Sequence, residues 1–169
     1  MEQRIWTARH STKVAASPQR VYQLIANVEN YPKMFDTIIA VERLGHDGTN
    51  ERVRFWGTFG DHRGSWVSLR EVNPKRMRVR FRQERSAAPL ASLGGRWLVT
   101  PRGTGAEVVL DHYYRVVDDN DLAAQHLERT VARSATAMLD SLRQITQGGD
   151  AYEMWFPLSD AVRGLEGVS

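Results

Sequence analysis

One histidine and one arginine carry most of the chemistry this sequence offers. In GAEVVLDHYYRVV (105–117), counting by twos puts Ala106, Val108, Leu110, His112, Tyr114 and Val116 on one face of a strand, so His112 points inward. Such an imidazole is either a hydrogen-bonded core residue or the working group of an internal pocket, and an unperturbed pKa of about 6.5 would suit it to proton transfer near neutrality. In RGSWVSLREV, Trp66, Ser68 and Arg70 share one face while Val67 and Leu69 share the other. That spacing leaves open which face is inward. In MRVRFRQ, Met77, Val79, Phe81 and Gln83 form the apolar face, which makes Phe81 and Gln83 lining candidates and sets Arg82 with Arg78 and Arg80 on the opposite side.

Other site chemistries find little support. The five histidines (His10, His46, His62, His112, His126) include no i, i+4 helical pair and no carboxylate cluster, so no metal site is expected. The absence of cysteine excludes disulfides, thiolate nucleophiles, iron–sulfur clusters and thiolate zinc sites. The GTG at 103–105 is not a dinucleotide fingerprint, and no serine sits in a nucleophile elbow.

The elements that must position these residues follow a definite order. RIWTARHSTKV (4–14) reads as a strand, and SPQRVYQLIANV as a helix with Ser17 as N-cap and Pro18 at its first position. A second short helix is expected at NYPKMFDTI, capped by Asn30, with Tyr31, Met34 and Phe35 as its apolar stripe. Strands follow at about 38–45, 51–59, 63–72, 76–86, 91–100 and 105–117, divided by short turn-rich separators, so they pair antiparallel as a meander. A long helix over about 120–147 starts at Asn120 and stops at Gly148-Gly149, with Leu127, Val131, Ala135, Met138, Leu142 and Ile145 as one stripe. One amphipathic helix after six meander strands must cover one face of their sheet. The expected fold is therefore α+β, a curved seven-stranded antiparallel sheet around a long C-terminal helix, with two short helices after strand 1 and room for a cavity between sheet and helix.

Composition fits this picture. A 169-residue chain with 41% hydrophobic and 25% charged residues suits one domain with a real core, here residues 1–147, followed by a tail at 148–169. No segment has the apolar length of a membrane span, and MEQRIWTARH lacks the apolar core of a signal peptide, so a cytoplasmic protein is expected. The formal charge of +3 comes with arginines spread along strands, which describes a solvated sheet face or one that suits an acidic protein partner; no nucleic-acid motif is present. The tail carries Tyr152, Trp155 and Phe156, and it reads as a disordered end, a strap on the barrel mouth or a homodimer contact.

In this order and spacing, VAASPQRVYQLIANVENYPKMF, SWVSLREVNP, RFRQERSAAPLASLGGRW and VVLDHYYRV resemble the helix-grip proteins of the START and birch-pollen-allergen type, over roughly residues 4–147. FRQE, APLASLGGRW and LDH are most similar to the polyketide cyclase/dehydratase branch and its actinobacterial aromatase/cyclases. The resemblance implies that Arg70 matches an arginine placed inside the pocket, donating to ketone oxygens and to an enolate. It likewise implies that His112 is a pocket base, and it keeps Arg82 as a motif match. Two positions depart from the pattern: Ala137 stands where some relatives have a helix aspartate, with Asp140 one turn later as the substitute, and Ile38 stands where others have a tyrosine.

Taken together these imply an aromatase/cyclase without a cofactor or metal. Its substrate would be a poly-β-ketone delivered by an acyl carrier protein from a minimal polyketide synthase. His112 and Arg70 would be catalytic, and Phe35, Phe55, Trp66, Ser68, Phe81, Arg82, Gln83, Trp97, Tyr114 and Asp140 would hold the substrate. Two other readings share the fold: a non-catalytic carrier of a lipid, quinone or other hydrophobic ligand, and an interaction module. Arg70 and His112 converging on the interior would favour the cyclase, and a purely apolar pocket the carrier.

Overall fold

The computed structural model describes residues 4–147, so expectations placed on the 148–169 tail and on the Gly148-Gly149 helix stop lie outside the described residues. Seven strands form one antiparallel sheet in the order β1-β7-β6-β5-β4-β3-β2. They are β1 (Trp6–Val14), β2 (Ile38–Asp47), β3 (Asn50–Phe59), β4 (His62–Asn73), β5 (Arg78–Gln83), β6 (Leu90–Arg102) and β7 (Gly105–Val116). The meander of β2 to β7 is as expected, and β1 closes onto β7, the last strand among the described residues. Helices α1 (Pro18–Ala26), α2 (Tyr31–Met34) and α3 (Asp121–Gln147) complete the fold, with α3 lying over β1 and β7.

Local chemistry sets the helix starts. Ser17 Oγ accepts the Arg20 N–H at 3.3 Å with Pro18 at the first helical position, and Asn120 Oδ1 accepts the Ala123 N–H at 2.9 Å. The segment before α2 corrects one expectation. Asn30 makes no capping bond; instead Asn27 Oδ1 accepts the Glu29 N–H at 3.2 Å and starts a 3-10 turn over Val28–Asn30 that leads directly into α2. β5 is shorter than expected, because Met77 takes a left-handed φ of 50° in the preceding turn, ending the extended backbone there.

Burial divides into two apolar clusters. One gathers α1, α2, the inner sheet face at Val53, Phe55, Trp97 and Leu110, and the C-terminal half of α3 through Ala135, Leu139 and Leu142. The other packs Leu90, Leu93, Tyr114 and Val116 beneath Ala124, Leu127 and Val131 in the N-terminal half of α3. Leu139, outside the expected stripe, is buried, whereas Met138 is only partly so.

Candidate functional site

Where these clusters meet, the curved sheet and α3 leave a cavity. About 720 Å³ of it, mouth included, is free of protein atoms, and about 100 Å³ admits the centre of a water molecule. Phe55, Trp66, Phe81 and Trp97 supply aromatic wall; Ser68, Arg70, Gln83 and His112 supply polar wall. The face that spacing left open on β4 is thereby assigned: Trp66, Ser68 and Arg70 turn inward, with Ser68 and Arg70 buried.

Four expected substrate contacts do not line the cavity. Arg82 alternates away from Phe81 and Gln83 onto the outer face, as strand parity requires. Phe35 lies behind the wall, edge-on to Tyr31 at 5.1 Å and stacked on Trp97 at 6.3 Å. Tyr114 belongs to the second cluster. Asp140 sits two residues round α3 from the lining Met138 and faces Arg143 at 3.7 Å with its side chain half exposed. The α3 residues that do reach the cavity are Ser134 and Met138, one turn apart, and α2 contributes Tyr31. Sequence reasoning missed these three. Ser134 and Met138 follow Thr130 at steps of four, a signal that one edge of the apolar stripe turns polar.

The guanidinium of Arg70 is engaged on the protein side. Its Nη2 donates to the Ile25 carbonyl at 2.9 Å and the Tyr31 hydroxyl at 3.1 Å; its Nη1 donates to the Ala26 carbonyl at 3.2 Å and to the buried carboxylate of Glu51. Tyr31 in turn donates to the Ile25 carbonyl at 2.7 Å. Arg70 thus caps the C-terminus of α1, where carbonyls lack helical partners and a positive charge is favoured. All four terminal N–H bonds are in use, and Nε–H has no partner among the described residues, so Arg70 offers no free fork. Burial raises the pKa of Tyr31 and Arg70 opposes the shift, so the phenol keeps its proton.

His112 is the opposite case. It is 6% exposed, lines the cavity and has Phe81 edge-on at 5.8 Å, yet its Nδ1 is buried with no hydrogen-bond partner among the described residues. Burial, reinforced by His10 and opposed by Asp111, lowers its pKa to about 4, well below the free-imidazole value. The ring is therefore neutral at pH 7. The neighbouring Asp111 points to the outer face, accepting Arg9 at 2.7 and 3.1 Å and Arg96 at 2.9 Å, which ties β1 and β6 to β7 on either side of His112. In LDH, the aspartate clamps the strand and the histidine faces the cavity.

Gly95 makes room for this arrangement. A Cβ there would stand 2.6 Å from Phe81 Cζ and 2.1 Å from the Asp111 carbonyl oxygen. The inward ring of Phe81 occupies the space that a side chain at 95 would take.

A curved antiparallel sheet gripping a C-terminal helix around a mixed polar and aromatic cavity defines a helix-grip protein. The chain belongs to the family described as polyketide cyclase/dehydrase and lipid transport, which matches residues 6–146. It is 32% identical over 157 residues to the granaticin polyketide synthase bifunctional cyclase/dehydratase of Streptomyces violaceoruber, covering 92% of this chain and 48% of that protein. Among solved structures it is similar to the di-domain ARO/CYC BexL of the BE-7585A biosynthetic pathway, at 33% identity and TM-score 0.75 over 82% of this chain and 45% of that one. The Zhui aromatase/cyclase from Streptomyces sp. R1128 shares the fold at 22% identity and TM-score 0.79, over 85% and 94% of the two chains. The chain spans about half the length of the granaticin and BexL proteins. Among the described residues, no helix is long and apolar enough to cross a membrane and no group of His, Asp and Glu is arranged to hold a metal ion.

Proposed function

We propose that the chain is an aromatase/cyclase that folds a carrier-bound poly-β-ketone in its cavity and promotes aldol closure and dehydration. The observation that carries this reading is His112: a neutral, buried imidazole on the cavity wall whose Nδ1 has no hydrogen-bond partner among the described residues. A structural core histidine is normally hydrogen-bonded, because leaving a buried polar atom unpaired costs about 1–3 kcal/mol. Ser68, Gln83 and Ser134 on the same wall support a polar substrate over the purely apolar cargo of a lipid or quinone carrier.

The chemistry suits these groups. A methylene between two ketones is acidic enough for a positioned base, and His112 takes its proton. The enolate carbon then attacks a second ketone carbon, forming the ring bond, and the alkoxide oxygen takes the proton back from the imidazolium. Loss of that hydroxyl with a neighbouring proton, as water, gives the double bond that leads to the aromatic ring. The low pKa of His112 makes it a weaker base than free imidazole, but fully deprotonated at pH 7, and a poor resting place for the proton it must return. Arg70 is assigned a supporting role: its charge and Nε–H face developing oxyanion charge while its fork holds Tyr31 and α1. None of these steps uses a cofactor.

The test is product analysis with a reconstituted minimal polyketide synthase and its acyl carrier protein. Adding the chain should convert shunt products into one regiospecifically cyclised aromatic product, and an unchanged product profile would refute the reading.

A further inference from the structure

Two grooves flank the tip of the β3–β4 hairpin and share wall residues with the cavity. One shares Phe59, Trp66 and Gln83 with it; the other shares Thr37, Thr58, Phe59 and Ser134. The hairpin tip divides the two mouths by leaning on α3: a Cβ at Gly60 would come within 2.6 Å of Thr130 Cγ2, and Asp61 stands 3.6 Å from His126. Arg85 lines the first groove and Arg133 the second, with Asp61 as the sole carboxylate in either lining and the imidazoles of His62 and His126 beside them. On α3, Arg129 stands three residues after His126 and four before Arg133, so all three share the stripe beside the mouths. None of Arg85, Arg129 and Arg133 has an ion-pair partner among the described residues, unlike Arg9, Arg43, Arg52, Arg96 and Arg102, which are each paired with a carboxylate. An Arg–Arg pair at i, i+4 also works against the helix.

We infer that this arginine-rich rim, with Arg129 and Arg133 at its centre, is the docking surface for the acidic face of the carrier protein that delivers the substrate. The inference rests on the cyclase reading above. An acidic partner seated here would place a tethered chain directly over the mouths, and the unpaired guanidinium groups would both steer its approach and fix its orientation.

The experiment compares the native chain with Arg129→Glu/Arg133→Glu on three forms of one β-ketoacyl chain: bound to an acyl carrier protein, as the free phosphopantetheine thioester, and as the N-acetylcysteamine thioester. The double variant is expected to raise KM for the carrier-bound chain about tenfold or more, an effect that shrinks as salt rises, with kcat and both small thioesters little changed. Equal KM values on the carrier-bound chain would overturn the docking surface while leaving the cyclase reading standing. An equally large loss on the free phosphopantetheine thioester would overturn it in favour of a phosphate site. If the native chain turned over none of the three, the cyclase reading itself would fall. Melting temperatures of both proteins show that the comparison is between folded molecules.

Discussion

Arg70 and His112 stand on one cross-strand row of the inner sheet face. Glu51 pairs with Arg70, Arg70 with Phe81, Phe81 with Gly95, and Gly95 with His112, so the row crosses five strands without a break in register. Three strand steps separate the guanidinium residue from the imidazole residue, about 14 Å along the sheet. Curvature turns both side chains toward the same space. Phe81 fills the middle of the row because Gly95 leaves it room, and the two polar ends are thereby held apart across an aromatic floor.

That spacing depends on Gly95. Gly95→Ala should displace Phe81, since its Cβ would meet both the Phe81 ring and the Asp111 carbonyl. The expected cost is about 1–3 kcal/mol by urea unfolding, together with weaker occupation of the cavity by an aromatic ligand. Unchanged stability and unchanged ligand affinity would show that the row tolerates a side chain there.

Arg70 has an architectural share that can be measured. Arg70→Met strands the Glu51 carboxylate, leaving Arg43 at 3.5 Å as its one ion-pair partner among the described residues, and frees the carbonyls of Ile25 and Ala26. Breaking such a buried pair typically costs about 3–5 kcal/mol. Arg70→Met/Glu51→Gln should recover part of that loss, and strictly additive costs in urea unfolding would contradict the coupling.

Much of the architecture was legible because it is written in periodicity. Alternation over 105–117 placed His112 inward, and the stripe from Leu127 to Leu142 defined the long helix. What the sequence could not supply was anything that depends on partners distant along the chain. Strand parity on β4 reads the same whichever face is inward, and only the register with Phe55, Gln83 and Phe81 assigns Trp66, Ser68 and Arg70 to the interior. The occupation of Arg70 by Glu51 and by α1 carbonyls joins residues 19 and 44–45 positions apart. Tyr114 shares parity with His112 but lies one step further along β7, over the second cluster, so alternation alone counted it as lining. Asp140 failed for the helical equivalent of that reason: two residues past Met138 is about 200° round the helix.

Acid should weaken the fold through His112. Its folded pKa of about 4 lies below the ordinary 6.5, so the unfolded chain takes up a proton first as pH falls. The stability contributed by the neutral ring is fully present above about pH 6.5 and is lost progressively as pH falls toward 4, roughly 3 kcal/mol in all. Melting temperatures over that window should fall more steeply for the native chain than for His112→Gln, and parallel curves would show that His112 titrates normally.

The same shift moves the acid limb of the activity profile. If neutral His112 is the base, kcat/KM for cyclisation should hold down to about pH 5 and fall near pH 4, in place of a fall centred near 6.5. A limb near 6.5 would mean that the ring is more solvated than its burial implies.

The central claim is that His112 removes the proton that starts ring closure. The most direct measurement is exchange of the methylene protons of a β-diketone substrate mimic in D₂O, followed by NMR with native chain and with His112→Gln, whose melting temperature at pH 7 should lie close to the native value. Native chain should accelerate exchange at the cavity, and the folded variant should lose about a hundredfold or more of that acceleration. A folded His112→Gln chain that exchanges the methylene protons as fast as the native one would contradict the assignment.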